Sequence, residues 1–393
     1  MGHENITITE LDQMMPDILA SASISKEKLG YDRPQNMILL SGIGQGKTSW
    51  CETSLKEHIA NWKGISPDRV GVLIEKPARR DCQEMAGVAI PQKGEDDSGY
   101  RQIFMEYCIS PILMEIRRML ESGDFDFVIL LVDEITAAAD PEQKVFADVF
   151  DNREHSIGGL QLPDECYIVG TGNRVQDRAG SGNLLSQLAD RSLVYNVTFC
   201  PKAFDKFAES HNINPCMREA AQGLIPEGLM VETPPSTIGK FCTPRGFINA
   251  SIHLDQFMAS DAFDGRTIDR IAYLKMAGCI GGDAARQVIE FIELAGELPE
   301  AAQILSDPEN ADVPDQTAYQ MLATNQAIAA MESVQDAENV LTYAMRLRPD
   351  LQVSLGVKIL RVATRNGWIV TSPLAVEFTT KFHDLLPLAV SEK

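Results

Sequence analysis

The stretch SGIGQGKTSW, residues 41–50, directly follows the apolar run Met37–Leu40. It nearly fits the pattern G-x-x-x-x-G-K-[ST], except that Ser41 stands where the first glycine is expected. Glycines at positions 44 and 46 allow a loop to curl so that backbone N–H groups point inward, and a helix beginning near Lys47 adds the positive end of its dipole. The stretch therefore predicts a phosphate-binding loop, with a plain glycine-rich turn as the alternative.

The candidate nucleotide ligands lie in this loop and in the first turn of the helix after it. Lys47 would reach the β- and γ-phosphates of a nucleotide, and the Thr48 hydroxyl would ligate Mg²⁺. The predicted cofactors are therefore ATP and Mg²⁺. The full predicted set for the nucleotide is Gly42, Ile43, Gly44, Gln45, Gly46, Lys47, Thr48 and Ser49.

A second motif is FDFVILLVDEITAA, residues 125–138, whose Asp133 lies about 85 residues after the GKT of the loop. Six apolar residues end in Asp133 and Glu134, so a strand here would place Asp133 at the carboxyl edge of a sheet, where α/β proteins bind ligands. Asp133 would hold Mg²⁺, directly or through water, and Glu134 would orient and polarise an attacking water. The alternative is a buried strand followed by an acidic helix cap.

Two further motifs offer polar groups for the same chemistry. In CYIVGTGNRVQDRAG, residues 166–180, Asn173 follows a predicted strand and would position the attacking water, unless it is only a turn residue. In LLSQLADRSLVYNV, residues 184–197, Arg191 would reach the phosphate bound by a neighbouring subunit. Alternatively Arg191 neutralises a helix C-terminus, and Arg174 and Arg178 compete for the same role.

The last motif is FCTPRGFINAS, residues 241–251, in which Pro244 suits the first turn of a helix. Arg245 then lies near a helix N-terminus, where a cation is locally unfavourable, which suggests that it has a partner elsewhere. The phosphate of the bound nucleotide is one such partner, and a surface salt bridge is the alternative.

Five near-continuous apolar runs predict buried strands, and helical segments separate them, which indicates an α/β protein with a parallel sheet. The predicted strands are Met37–Ser41, Val70–Glu75, Phe127–Val132, Cys166–Gly170 and Leu193–Thr198. The predicted helices between them are Thr48–Trp62, Ile103–Glu121 and Pro141–Phe150. After about residue 200 the pattern is helical, and the acidic stretch 306–316 is expected to be a linker.

Composition narrows the class of protein. The chain has 393 residues, 44% of them hydrophobic and 23% charged, as in a soluble globular protein with room for two or three domains. We expect a cytoplasmic protein, because no long apolar window predicts a membrane span and the N-terminus lacks the pattern of a signal peptide. The formal net charge of −21 makes a nucleic-acid partner less expected.

Together these motifs resemble those of AAA+ ATPases, and within them the MoxR-like group found in phages and prophages. GIGQGKT is similar to the Walker A motif, VILLVDE to Walker B, Asn173 to sensor 1, Arg191 to the arginine finger and Arg245 to sensor 2. The resemblance covers roughly residues 30–345. It implies a five-stranded parallel P-loop core at 1–200, a helical lid at 201–305 and a C-terminal helical extension at 306–393.

The same resemblance implies a homo-hexameric ring with ATP at the subunit interfaces, and chaperone-like remodelling of protein partners, often beside a protein with a von Willebrand factor A domain. It also places a pore-facing insert at residues 78–100, where an ordinary surface loop is equally expected. Two other functions stay open: a nucleic-acid motor, and a structural ring that ATP locks with little turnover. The sequence names no substrate, and no function aligns with residues 351–393.

Overall fold

The computed structural model describes residues 4–95, 101–177, 182–226, 228–232, 239–263, 267–295, 301–368 and 373–382. The chain forms two compact units. The first contains Met1–Phe204, Val231–Ile238 and Thr243–Arg245, and the second contains Asp205–Met230, Gly239–Cys242 and Gly246–Lys393.

The strands of the described residues all belong to the first unit. They are β1 (Glu4–Thr7), β2 (Met37–Ser41), β3 (Val70–Glu75), β4 (Ala89–Glu95), β5 (Arg101–Tyr107), β6 (Phe127–Val132), β7 (Ser156–Ile157), β8 (Leu160–Gln161), β9 (Cys166–Asn173) and β10 (Leu193–Thr198). Six of them form one parallel sheet in the order β1-β10-β2-β9-β6-β3. The predicted fold class, α/β with a five-stranded parallel P-loop core followed by helices, is confirmed.

Four of the five predicted strands agree with the structure to the residue, and the strand predicted at Cys166–Gly170 extends to Asn173 as β9. The edge strand β1 was not predicted. Its sequence, ENIT, is short and mostly polar, and only Ile6 is buried. Such a strand forms because β10 offers it hydrogen bonds, which no local pattern reveals.

Helices cover both faces of the sheet, and as a result every residue of the interior strand β6 is buried. On one face Leu39, Ile129 and Leu131 pack with Leu11, Trp50 and Ile59 from the helices below. On the other face Ile38, Leu130 and Ile168 pack with Ile112, Ile116 and Phe146. The helices up to residue 210 are α1 (Ile8–Leu29), α2 (Lys47–Glu52), α3 (Ser54–Lys63), α4 (Cys82–Ala86), α5 (Pro111–Glu121), α6 (Asp140–Val145), α7 (Ala147–Phe150), α8 (Ser186–Asp190) and α9 (Pro201–Ser210).

Three predicted helices need correction. The helix expected at Pro141–Phe150 is divided into α6 and α7 at Phe146, whose N–H donates to the carbonyl of Gln143 at 3.1 Å, a tighter turn than that of an α-helix. The helix expected at Thr48–Trp62 is divided into α2 and α3 at Thr53, whose hydroxyl donates to the carbonyl of Ser49 at 2.8 Å. Such bonds to the preceding turn bend or interrupt helices. The prediction of helix from Ile103 is wrong up to Tyr107, because these residues pair antiparallel with β4 as the hairpin strand β5. Helix α5 begins instead at Pro111, which suits a first helical position.

The second unit is helical within the described residues. Its helices are α10 (Pro215–Leu224), α11 (Pro244–Met258, which belongs to this unit from Gly246 onward), α12 (Arg270–Ile280), α13 (Gly282–Ala295), α14 (Ala301–Ser306), α15 (Thr317–Ala329), α16 (Val334–Ala344), α17 (Pro349–Arg365) and α18 (Pro373–Lys381). Buried residues of α14 to α18 form one apolar cluster, which includes Leu341, Ile359 and Phe378. None of the helices in the described part of the chain has both the length and the apolar character needed to cross a membrane.

We expect Leu131→Ala to lower the free energy of unfolding by about 2–5 kcal/mol, because it opens a cavity under the central strands of the sheet. Leu131 is fully buried, whereas Leu29, at the end of α1, is 65% exposed. Leu29→Ala is therefore the matched control and should change stability by less than about 0.5 kcal/mol. Urea unfolding measures both variants, and equal effects would contradict the placement of Leu131 in the core.

Candidate functional site

The glycine-rich loop connects β2 to α2 and is held by its own side chains. Gly44 and Gly46 have φ angles of +73° and +84°, a conformation that favours glycine. Ser41 is buried at the end of β2. Its hydroxyl donates to the carbonyl of Gly42 at 2.9 Å and accepts from Lys47 Nζ at 2.5 Å. The serine that departs from the expected glycine thus has a role inside the loop.

Lys47 is a buried cation whose hydrogen-bond partners are neutral. Besides the Ser41 hydroxyl, its ammonium donates to the carbonyls of Ser41 and Gly42 at 3.4 and 3.3 Å, and to Asn173 Oδ1 at 3.4 Å. Burial lowers the pKa of Lys47 to about 8, although the charge of Asp133 opposes the shift. A desolvated ammonium without a bonded carboxylate creates a strong local preference for an anion.

Asp133 lies directly after β6 and is only 6% exposed. Its Oδ1 accepts hydrogen bonds from Thr171 at 2.5 Å and from Thr48 at 3.3 Å, while Lys76 Nζ lies 2.8 Å from Oδ2. Burial would raise the pKa of Asp133, but the hydrogen bonds from Lys76, Thr171 and Thr48 hold it below its ordinary value. Asp133 is therefore an ionised carboxylate, and the Thr48 hydroxyl lies beside it.

The strand register explains how these distant residues meet. Glu75 of β3 is level with Val132 of β6, which is level with Gly170 of β9. The residues that come next are Lys76 after β3, Asp133 after β6 and Thr171 within β9. All three therefore lie side by side near the carboxyl edge of the sheet. Sequence reasoning missed Lys76 and Thr171. The available signal was that Lys76 follows a predicted strand end, as Asp133 does.

Glu134 and Asn173 lie on either side of this group. Glu134 has a φ of +58°, which is uncommon for a residue with a side chain, and its carboxylate is about half exposed. Asn173 ends β9, and the Thr136 hydroxyl fixes its backbone by donating to its carbonyl and accepting from its N–H, both at 3.0 Å. Both residues are therefore held by the fold at the same sheet edge as Asp133.

The arginines proposed as fingers differ in their surroundings. The guanidinium of Arg174 donates two hydrogen bonds to the fully buried Asp177, at 3.0 and 3.1 Å, so it is engaged within its own chain. Arg191, at the end of α8, pairs with Asp148 at 3.0 Å and with Asp151 at 3.2 Å and remains partly exposed. Arg178 lies outside the described residues, as do residues 96–100 of the predicted insert.

Two more distant segments lie against the loop within the first unit. A Cβ on Gly42 would come within 2.3 Å of the Glu232 carbonyl oxygen. A Cβ on Gly44 would lie 3.2 Å from Thr243 Oγ1 and 3.4 Å from Arg245 Cβ. Arg245, at the start of α11, is exposed, and its charge contributes to the lowered pKa of Lys47. The structure thus brings Arg245 to the loop from a segment about 200 residues away.

Comparison with known proteins does not assign a family. No protein-family profile and no curated protein matches the chain. Solved structures similar to parts of it include the Aeropyrum pernix ORC1 protein in complex with DNA, at 15% identity over 88% of this chain and 84% of that one, with a TM-score of 0.37. NtrX from Brucella abortus in complex with ADP has 14% identity over 96% and 68% of the chains and a TM-score of 0.36.

The C. elegans protein PCH-2 has 13% identity over 74% of this chain and 70% of its own, with a TM-score of 0.31. Likenesses at these identities and TM-scores leave the function to be argued from the residues of this chain.

The stability of the protein should depend on pH through Lys47. Its pKa is about 8 in the folded chain, against 10.5 in the unfolded chain. Below pH 8 both states are protonated and the burial penalty, about 3 kcal/mol, is fully present. Between pH 8 and 10.5 the unfolded chain binds more protons, so stability rises with pH.

Lys47→Met removes this titration. We expect wild type to gain up to about 3 kcal/mol relative to this variant between pH 7 and pH 10.5, measured by urea unfolding at each pH. The exposed Lys28, changed to Met, provides the control and should parallel wild type. A constant difference between wild type and Lys47→Met across the range would contradict the buried, destabilised ammonium.

Proposed function

We propose that the chain is an AAA+ ATPase of the MoxR-like group, which binds and hydrolyses Mg·ATP at this sheet edge. The observation that carries the proposal is the convergence of Lys47, Thr48, Asp133 and Asn173. The Thr48 hydroxyl is 3.3 Å from the Asp133 carboxylate, and the Lys47 ammonium is 3.4 Å from the Asn173 amide oxygen. A nucleotide site needs a cation for phosphate, metal ligands and a water-positioning group within this reach.

The loop suits a triphosphate. Gly42, Ile43, Gly44, Gln45 and Gly46 would surround the phosphates with backbone N–H groups, and Lys47, Thr48 and Ser49 would contact them from the first turn of α2. The N-terminus of α2 has no side-chain cap, which leaves its N–H groups available for an anion. Lys47 would exchange its neutral partners for phosphate oxygens, and this relieves the cost of burying its charge.

The residues also fit Mg²⁺. The described residues contain no group of three or more His, Cys, Asp or Glu side chains placed for a metal ion. Nucleotide-bound Mg²⁺ needs no such group, because it keeps several waters and takes one or two protein ligands together with phosphate oxygens. Thr48 and Asp133 would supply those ligands. Bound there, Mg²⁺ would neutralise charge that develops on the phosphates.

Glu134 is the proposed base. Its partly exposed carboxylate follows Asp133 in the chain, so a water beside the terminal phosphate would lie within its reach. Its left-handed backbone conformation costs roughly 1–3 kcal/mol, and such strain is typical of functional sites. Asn173 would hold the same water with its amide, since Thr136 fixes the strand end that carries it.

Arg245 and Arg191 are the proposed arginines of the reaction. Arg245 lies beside Gly44 of its own loop, where its charge would meet the phosphates. Arg191 pairs with acidic residues on the surface of its own unit and would act on the nucleotide of the next subunit in a homo-hexameric ring.

The proposal also divides the chain into a core at 1–200, a lid at 201–305 and an extension at 306–393. The ring would remodel protein partners and would work beside a protein with a von Willebrand factor A domain.

Glu134→Gln should bind ATP with unchanged affinity and lose phosphate release by a factor of about 100 or more, because the base is removed and the phosphate ligands are kept. Lys47→Ala should lose nucleotide binding itself, seen as a loss of saturable heat in titration calorimetry with Mg·ATP. If wild type binds ATP but is as inactive as Glu134→Gln, the protein is a nucleotide-locked structural ring instead of a motor.

Arg191→Ala should lower ATP turnover by a factor of about 1,000 when every subunit carries it. Mixed with an excess of Glu134→Gln subunits, which retain Arg191, the Arg191→Ala subunits should recover activity, because a neighbour supplies the missing guanidinium. Arg153→Ala, also near α7 but exposed, is the control and should stay active. Failure of mixing to restore any turnover would contradict a role across subunits.

A further inference from the structure

Lys76 has no place in the function proposed above, yet it is the cation nearest to both acidic residues of the site. Its Nζ lies 2.8 Å from Asp133 Oδ2 and 3.7 Å from Glu134 Oε2. The strand register holds it there, because Glu75 pairs with Val132 in the neighbouring strand. The contact is therefore built into the sheet rather than a chance meeting of surface side chains.

Both oxygens of the Asp133 carboxylate already have partners in this arrangement. Oδ1 accepts from Thr171 and Thr48, and Oδ2 faces the Lys76 ammonium. The side chain of Asp133 is only 8% exposed, so a divalent cation cannot approach it without displacing one of these three groups. An ammonium and a divalent cation also repel each other strongly when they share one carboxylate in a partly buried site.

Of the three groups, Lys76 is the one that can leave. Thr171 is buried in the sheet, and Thr48 is the proposed second metal ligand. The Lys76 side chain is 30% exposed and sits on the loop after β3, and Glu134 gives it a second carboxylate within 3.7 Å. Moving from Asp133 towards Glu134 therefore keeps the ammonium paired while it frees Oδ2.

We propose that Lys76 is a gate for the metal: it competes with the divalent cation for Asp133, so that the metal binds only together with a nucleotide. A free cation would gain one protein carboxylate and lose water while facing Lys76 and Lys47. A nucleotide adds several anionic oxygens, which pair with Lys47 and complete the coordination of the metal. This inference rests on the proposed function and adds a residue that controls the order of binding.

The test uses Mn²⁺ as the probe, counted as free ion by electron paramagnetic resonance, on the full chain. Without nucleotide, wild type should bind Mn²⁺ at least about tenfold more weakly than Lys76→Met, within the 5- to 150-fold range of coupled binding sites. Lys76→Arg keeps the positive charge and should resemble wild type. Lys28→Met, an exposed lysine in α1, should also resemble wild type.

A second measurement covers the case in which neither protein binds the free ion detectably. With saturating ADP, half-maximal Mn²⁺ binding should occur at a concentration at least about tenfold lower for Lys76→Met than for wild type, and Lys76→Gln should shift it in the same direction. Equal Mn²⁺ binding by wild type and Lys76→Met in both measurements would overturn the gate. Binding of a fluorescent ADP in EDTA is measured separately, and its absence would overturn the proposed function instead.

Discussion

The hydrogen bond between Thr48 and Asp133 joins two parts of the chain that are 85 residues apart and defines the site. It exists because β2 and β6 are parallel strands with only β9 between them, so their carboxyl ends meet at one edge of the sheet. Asn173, at the end of β9, fills the space between them. If the register slipped by one residue, Asp133 would turn into the opposite face and the edge would lose its carboxylate.

The group of cations at this edge of the sheet contrasts with the negative net charge of the chain. The chain has a formal net charge of −21, yet Arg174 and Arg245 are close enough to Lys47 to add to the lowering of its pKa that burial mainly causes. Asp133 and Asp177 oppose that effect. A local group of cations in an acidic protein suits a small, highly charged anion.

The departure at Ser41 shows how a motif can change without losing its geometry. The first glycine of the pattern is replaced by a serine whose hydroxyl bonds to both ends of the loop, at Gly42 and Lys47. The glycines at 42 and 44 are the positions where space is short, since Glu232 and Thr243 approach them closely. The first position with no room for a side chain is thus Gly42, one residue after the position where the motif has its first glycine.

The sequence alone determined the fold class, the strands of the central sheet and the loop, because apolar runs and glycine spacing are local signals. It also placed Asp133, Glu134 and Asn173 at strand ends. Only the tertiary structure decided that Lys76 faces Asp133, that Thr171 bonds to it and that Arg174 is held by Asp177. Those contacts depend on the register between strands and on loop conformation, which one-dimensional patterns do not encode. The edge strand β1 and the β4–β5 hairpin were missed for the same reason, since pairing partners rather than local propensity stabilise them.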